Sequence, residues 1–386
     1  MRRLVAVAVV CAAAAVAPAA GAAPGLLTGI YEEAETLFAG DPSEGVATLG
    51  ELGAGVLRLN LYWNRVAPTQ PLDETDPADP AYDWSLYDRV VLLAKQRGIR
   101  ILFSIVFTPP WANGGQDVRF APRDSWDLQE FARAAARRYS GRFTPPAPPA
   151  ERRLTGAGSV LPRVDLWMAW NEPNNPNFLK PQGERAGSRF RPASPRIYAR
   201  LCNAVVDGIH AGERIMRVSR GTVACGAMAP RGNNVFGGSR PSISPLLFLR
   251  EMKKAGADPD VLAHHAYALS RLESPSTKPG SKNAITLGNI DVLLAEMGKL
   301  YPGKRLWITE YGYQTNPPDP LFGVSWARQA EWLREAYALA RAKPKIAMLL
   351  WFLVKDEREV GRWQSGLVSA AGQRKPSFDA FREIAR

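Results

Sequence analysis

The chain has 386 residues, 49 Lys and Arg against 37 Asp and Glu, and a formal charge of +12, with 46% hydrophobic residues. The basic balance favours acidic polymers or anionic cell surfaces as neighbours. Its arginines, however, are scattered over helical stretches such as Arg133 to Arg138 and read first as solvated helix faces, which argues against nucleic-acid binding. Beyond the N-terminal segment nothing reaches the ~18 uninterrupted apolar residues of a membrane span.

Residues Met1 to about Ala23 read as a secretory signal: Arg2-Arg3, the apolar run Leu4 to Val16, then small residues around Ala19 to Ala23. The expected mature protein, residues 24–386, is therefore exported, with a retained N-terminal anchor as the alternative to cleavage, and loss of Arg2 and Arg3 leaves it with a net charge near +10. Cys11 leaves with the signal. Cys202 and Cys225 remain, an even pair in an exported chain, and two readings stay open: a disulfide, or two thiols buried between helix and sheet.

Strand and helix patterns alternate along the mature chain. Strands are expected near Leu26 to Tyr31, Val56 to Asn60, Arg100 to Phe107, Val164 to Trp170, Thr222 to Ala227, Val261 to Tyr267, Arg305 to Thr309 and Ile346 to Phe352. Helical periodicity fills the intervals, as in Ser85 to Arg97, Ser125 to Tyr139, Ser194 to Ala211 and Ser325 to Ala342, each opening on a serine that suits a helix cap. Eight strands and the absence of a Gly-rich phosphate loop after the first favour a closed α/β fold, a single-domain (β/α)8 TIM barrel, over an open doubly wound sheet. The proline pairs within Thr144 to Leu161 precede the fourth strand, so that segment belongs to the face opposite the strands' C-terminal ends. Phe178 to Pro195 and Ala229 to Ser244 follow strands four and five, on the face where barrel loops shape access to a site.

Two of these strands end in glutamate. Val164 to Trp170 runs into Asn171-Glu172-Pro173, where the proline stops ladder pairing, and Arg305 to Thr309 runs into Glu310-Tyr311-Gly312. About two βα units separate them, so both carboxylates could point into one barrel mouth, the arrangement that glycosidic bond cleavage needs. Read alone, Asn171-Glu172-Pro173 also fits a loop glutamate near a strand end. On the second strand Arg58 shares a face with Val56 and Asn60, and an arginine pointing into a barrel mouth needs a negative partner, of which Glu310 is the obvious one. On the sixth, alternation puts His265 and Tyr267 on one face and His264 on the other. Adjacent histidines also suggest a metal, but only His210 remains elsewhere and no Cys or Asp cluster accompanies them, so no metal is expected. Trp111, in the corner Thr108-Pro109-Pro110-Trp111, and Trp351, near the end of the eighth strand, offer flat indoles for the C–H faces of sugar rings.

With these motifs the chain resembles the large clan of (β/α)8 glycoside hydrolases, clan A, that includes cellulase-like family 5 and xylosidase-like family 39. The resemblance implies that Glu172 is the acid/base and Glu310 the nucleophile of a retaining reaction. It also implies that Arg58 keeps Glu310 ionised, that Asn171 binds the sugar 2-hydroxyl, and that Tyr267, paired with His265, sets its hydroxyl near the nucleophile. Trp63, the Pro68 turn and Tyr82-Asp83-Trp84 match the same clan around the second strand. No cofactor is implied, the partner is an oligo- or polysaccharide, and a monomer is expected. The rival reading is a saccharide-binding barrel that has lost its chemistry. Sugar identity and endo or exo mode depend on the loops at 178–195, 229–244 and 270–284, which the sequence does not decode.

Overall fold

In a computed structural model, which describes residues 25–146 and 159–386, eight parallel strands close into one barrel. They are β1 Leu27–Tyr31, β2 Val56–Tyr62, β3 Arg100–Val106, β4 Leu166–Ala169, β5 Thr222–Met228, β6 Val261–His265, β7 Leu306–Tyr311 and β8 Ile346–Phe352, and β8 pairs with β1 to complete the ring. Each strand is followed by a helix: α1 Ser43–Glu51, α2 Ser85–Gln96, α3 Ser125–Arg138, α4 Ser194–Ile215, α5 Pro245–Lys254, α6 Ile290–Leu300, α7 Trp326–Arg341 and α8 Pro376–Ala385. The fold is the single-domain (β/α)8 barrel that the alternation of patterns predicts. The expected signal segment lies outside the described residues, as does most of the proline-rich segment before β4. No helix among the described residues is long and apolar enough to cross a membrane.

Two apolar cores follow from the period-two alternation of the strands. Val56, Leu102, Leu166, Met168, Met348 and Leu350 point inward and fill the barrel, whereas Leu57, Leu59, Phe103, Trp167 and Leu349 point outward against the helices. The inner layer is tight at β1, where a Cβ on Gly29 would stand 2.1 Å from the Val56 carbonyl oxygen. Between α3 and α4, a Cβ on Gly208 would meet the Gln129 carbonyl at 2.2 Å, so only glycine lets these helices approach so closely. Cys202 on α4 and Cys225 on β5 are disulfide-bonded, with Cα atoms 5.9 Å apart, which decides between the two readings of the pair.

The structure corrects two expectations about polar residues. Of the four helix-opening serines, Ser325 caps its helix by accepting from the Arg328 N–H, while Asp124 does that work for α3, and Ser194 turns its hydroxyl to Gln182. Within Arg133 to Arg138 the face is not uniformly solvated. Arg138 is buried, forked onto the Asp88 carboxylate and stacked by Trp84 and Phe143, because α3 packs that side against α2.

Candidate active site

The C-terminal ends of the strands surround a cleft of about 1040 Å³, whose floor holds Glu172 and Glu310. Arg58 organises it. Its side chain is fully buried on the inner face of β2, and Nη1 donates to Glu310 Oε1 at 2.6 Å and to the Thr309 carbonyl at 3.0 Å. Nη2 donates to Asn171 Oδ1 at 2.5 Å, and the Tyr31 ring covers the guanidinium at 4.8 Å. A buried cation is tolerated only when charge and hydrogen bonds compensate it; here Glu310 supplies the charge and both terminal nitrogens are paired, with Nε left without a partner. The second Glu310 oxygen accepts from the Tyr267 hydroxyl at 3.1 Å. Burial first, then the charge of Glu310, raises the Tyr267 pKa well above its ordinary value, so that hydroxyl stays a donor.

Glu172 is held differently. β4 ends at Ala169, and the chain then takes Trp170 and Glu172 through positive φ of 65° and 38°, a conformation costing non-glycine residues about 1–3 kcal/mol each. Backbone bonds from Trp170 N to Ile105 O (2.8 Å) and from Glu172 N to Ala227 O (3.0 Å) fix it, as does the Trp170 indole donating to Phe178 O (2.8 Å). Oε2 accepts from Asn175 Nδ2 at 2.8 Å. Burial raises the Glu172 pKa to about 7, against smaller opposing effects of Asn175 and Arg58, so near neutrality the group carries a proton part of the time.

His265 lies between the two carboxylates. Burial is the main cause that lowers its pKa to about 3, so the ring is neutral and carries one N–H. Arg58 Nη1 stands 3.3 Å from Nε2 and can only donate, which assigns the ring proton to Nδ1. That Nδ1–H faces Glu172 Oε1 at 3.0 Å and Glu310 Oε2 at 3.5 Å. His264, on the opposite face, hydrogen-bonds the Ile285 carbonyl. Glu172, His265 and Glu310 offer ligand atoms all within 4.8 Å of one another, which is also the geometry of a metal site. Arg58 already supplies positive charge to this trio, so a metal cation there would face a buried guanidinium.

Glu172, Glu310, Arg58, Asn171, His265 and Tyr267 thus converge, whereas the two tryptophans do not join them. Trp351 points outward from β8 into the helix-facing core, fully buried, with its indole donating to the Ser365 carbonyl at 2.8 Å. Its neighbour Phe352 faces the mouth instead, since Met348 and Leu350 fix the inward phase of the strand. Trp111 sits in the one-turn helix Pro110–Asn113, packs edge-on to Trp63 at 5.7 Å and donates to the Ala67 carbonyl, away from the cleft. Aromatic surface in the cleft comes from residues the sequence did not mark: Tyr31, Tyr62, Phe352 and Trp363, whose ring stacks on Tyr267 at 5.5 Å. Glu33 is also new. Its carboxylate accepts from Asn60 N (2.6 Å) and from the Tyr62 hydroxyl (2.7 Å), bracing the wall beside Arg58. Alternation from Gly29 and Tyr31 was the available signal for it.

The chain matches no protein-family model and no curated protein sequence. Its fold is shared with solved structures. One is a family 39 glycoside hydrolase from Bacteroides cellulosilyticus WH2, at TM-score 0.61 and 17% identity, covering 93% of this chain and 63% of that one. Another is a monomeric β-xylosidase from Caulobacter crescentus CB15, at TM-score 0.60 and 18% identity, covering 93% and 67%. A third is an exo-β-1,4-mannosidase from the Opitutaceae bacterium strain TAV5, at 0.57 and 16%, covering 95% and 60%. The likeness is that of the barrel, and this chain spans roughly two thirds of the length of these proteins.

Proposed function

We propose that this protein is a retaining β-glycoside hydrolase acting on an oligo- or polysaccharide, with Glu310 as nucleophile and Glu172 as acid/base. One observation carries the reading: Glu172 and Glu310 both line the cleft, with an oxygen of one carboxylate within 4.8 Å of an oxygen of the other. A retaining pair needs carboxyl groups about 5–5.5 Å apart, whereas an inverting pair leaves about 6.5–9.5 Å for a water. The environments separate the roles. Glu310, bound by Arg58 and Tyr267, attacks the anomeric carbon as a carboxylate, while Glu172 delivers its proton to the departing glycosidic oxygen. In the second half Glu172 takes a proton from water, which attacks the glycosyl ester and releases Glu310. Asn171, which lines the cleft and accepts from Arg58, is in this reading the partner of the sugar 2-hydroxyl. Tyr31, Phe352 and Trp363 offer ring faces to the sugar.

The solved relatives of the barrel include a β-xylosidase and an exo-β-1,4-mannosidase, which supports carbohydrate as the substrate class. We read the protein as exported, from the N-terminal signal pattern and from the Cys202–Cys225 disulfide, a bond that persists in oxidising compartments. The test uses an aryl glycoside with an activated leaving group. Glu172→Gln should keep its first step and show a burst, with azide restoring turnover to a product of retained configuration; Glu310→Gln should show no burst, and any azide product should be inverted. Equal loss in both variants, with no rescue by azide, contradicts the assignment.

A further inference from the structure

The cleft is electrostatically lopsided. Among the described residues five cations line it, Arg119, Lys180, Arg231, Arg240 and Arg271, against two acids, Glu172 and Glu310. Glu310 is neutralised by Arg58, and Glu172 is half protonated near pH 7. Arg119 is held by Asp117 at 2.6 Å, but among the described residues Lys180, Arg231, Arg240 and Arg271 have no ion-pair partner. The nearest acid in sequence to Arg271, Glu273, takes up the Leu269 N–H instead. All five cations stand on the loops after β3, β4, β5 and β6, whereas on the other side the ends of β1, β2 and β8 and the loops after β7 and β8 bring aromatic and amide groups to the cleft and, among the described residues, no lining cation.

We infer that the protein takes an acidic saccharide chain, and that the anionic groups lie on the leaving-group portion, held by Lys180, Arg231, Arg240 and Arg271. The placement rests on the glycosidase reading above: the proton donor Glu172 ends β4, so the departing sugar extends over the loops flanking that strand, and those loops carry the cations. Unpaired cations around a concave, low-dielectric wall focus the field on an anion entering the cleft, more than the same charges spread over helices do. The shared ligand chemistry is a carboxylate or a sulfate ester on a β-linked chain.

The experiment measures binding by calorimetry at 50 and 200 mM salt. The probes are hyaluronan hexasaccharide, which carries carboxylates alone, its carboxyl-reduced form, sulfated cello-hexaose and unmodified cello-hexaose. Two variants are compared with the parent protein: Lys180→Gln/Arg231→Gln/Arg240→Gln/Arg271→Gln at the cleft, and Lys95→Gln/Arg97→Gln/Lys254→Gln/Lys304→Gln, which removes equal charge near the opposite face. The double variant Arg231→Gln/Arg271→Gln, at two exposed side chains, covers any folding defect of the quadruple one. The expected result is at least tenfold tighter binding of an anionic probe than of its neutral counterpart, lost at the cleft variant and changed less than twofold at the control. Whether the carboxylate or the sulfated probe shows it identifies the anion. Equal loss in both quadruple variants, or no preference over the neutral chains, overturns the inference. Hydrolysis of neutral chains without that preference would sink this proposal and leave the glycosidase reading standing; anion binding without hydrolysis of any β-glycoside would overturn the glycosidase reading and, with it, the leaving-group placement, leaving only a site for acidic saccharides.

Discussion

Glu172→Gln should stabilise the protein at pH 8 and not at pH 4.5. The cause is the raised pKa of Glu172, from 4.5 to about 7, set mainly by burial. A carboxyl whose folded pKa is raised binds its proton more tightly in the native state, so its contribution to stability is complete below pH 4.5. It declines as pH rises and is lost above about 7. At 1.36 kcal/mol per pH unit the ceiling is about 3 kcal/mol; with 13% of the side chain still meeting solvent in the cleft, about 2 kcal/mol is the expected swing. Glutamine does not ionise and escapes it. With an unfolding entropy of about 2.1 cal/mol/K per residue, ~2 kcal/mol in a chain of this size moves Tm by roughly 3 °C. The assay is calorimetric Tm of both proteins from pH 4.5 to 8. Glu32, also buried and raised to about 7, titrates in both and cancels from the difference. A Tm difference that stays flat across this range, or a variant less stable than the parent at pH 8, would refute the burial of Glu172 as the source of its proton affinity.

The two tryptophans of β8 and its loop should separate binding from stability. Trp363→Ala, at an exposed ring stacked on Tyr267, should raise KM for a saccharide substrate about 5- to 10-fold with little change in Tm. Trp351→Ala, emptying a fully buried site, should cost about 3–5 kcal/mol in chemical denaturation and leave KM within about twofold; the reverse pattern would return Trp351 to the cleft. Replacing Cys202 and Cys225 together by alanine opens a loop with sequence separation 23 and should cost about 3 kcal/mol, read as a lower denaturation midpoint, whereas an unchanged midpoint would mean the bridge does not form in the protein.

Most of the barrel was legible because each parallel strand is a short apolar run bounded by turns, and the helices between them are amphipathic. The polar floor was legible for the same reason. Arg58 interrupts the apolar inner face of β2, and Asn171, Glu172, His265, Tyr267 and Glu310 stand at or just past the C-terminal ends of apolar strands, where only a site or a paired charge tolerates them. Trp351 went astray because Ile346 to Phe352 is apolar throughout: with no polar residue to mark the phase, alternation could not say that Phe352, one residue later, faces the mouth. Glu33 and Tyr62 become site residues only through their contact with each other across β1 and β2, and Trp363 through stacking on Tyr267 from a loop. The cationic rim was invisible for a related reason. Its members are scattered from Arg119 to Arg271, and only closure of the barrel brings four loops to one side.

The central claim is that Glu310 and Glu172 form a nucleophilic pair, and the configuration of the first-formed product tests it most directly. An aryl β-glycoside that the protein hydrolyses is followed by proton NMR from the first minute, before mutarotation mixes the anomers. The close approach of the two carboxylates predicts that the β-anomer appears first and the α-anomer only later, by mutarotation. An α-anomer formed first would make Glu310 a general base acting through water and contradict the account.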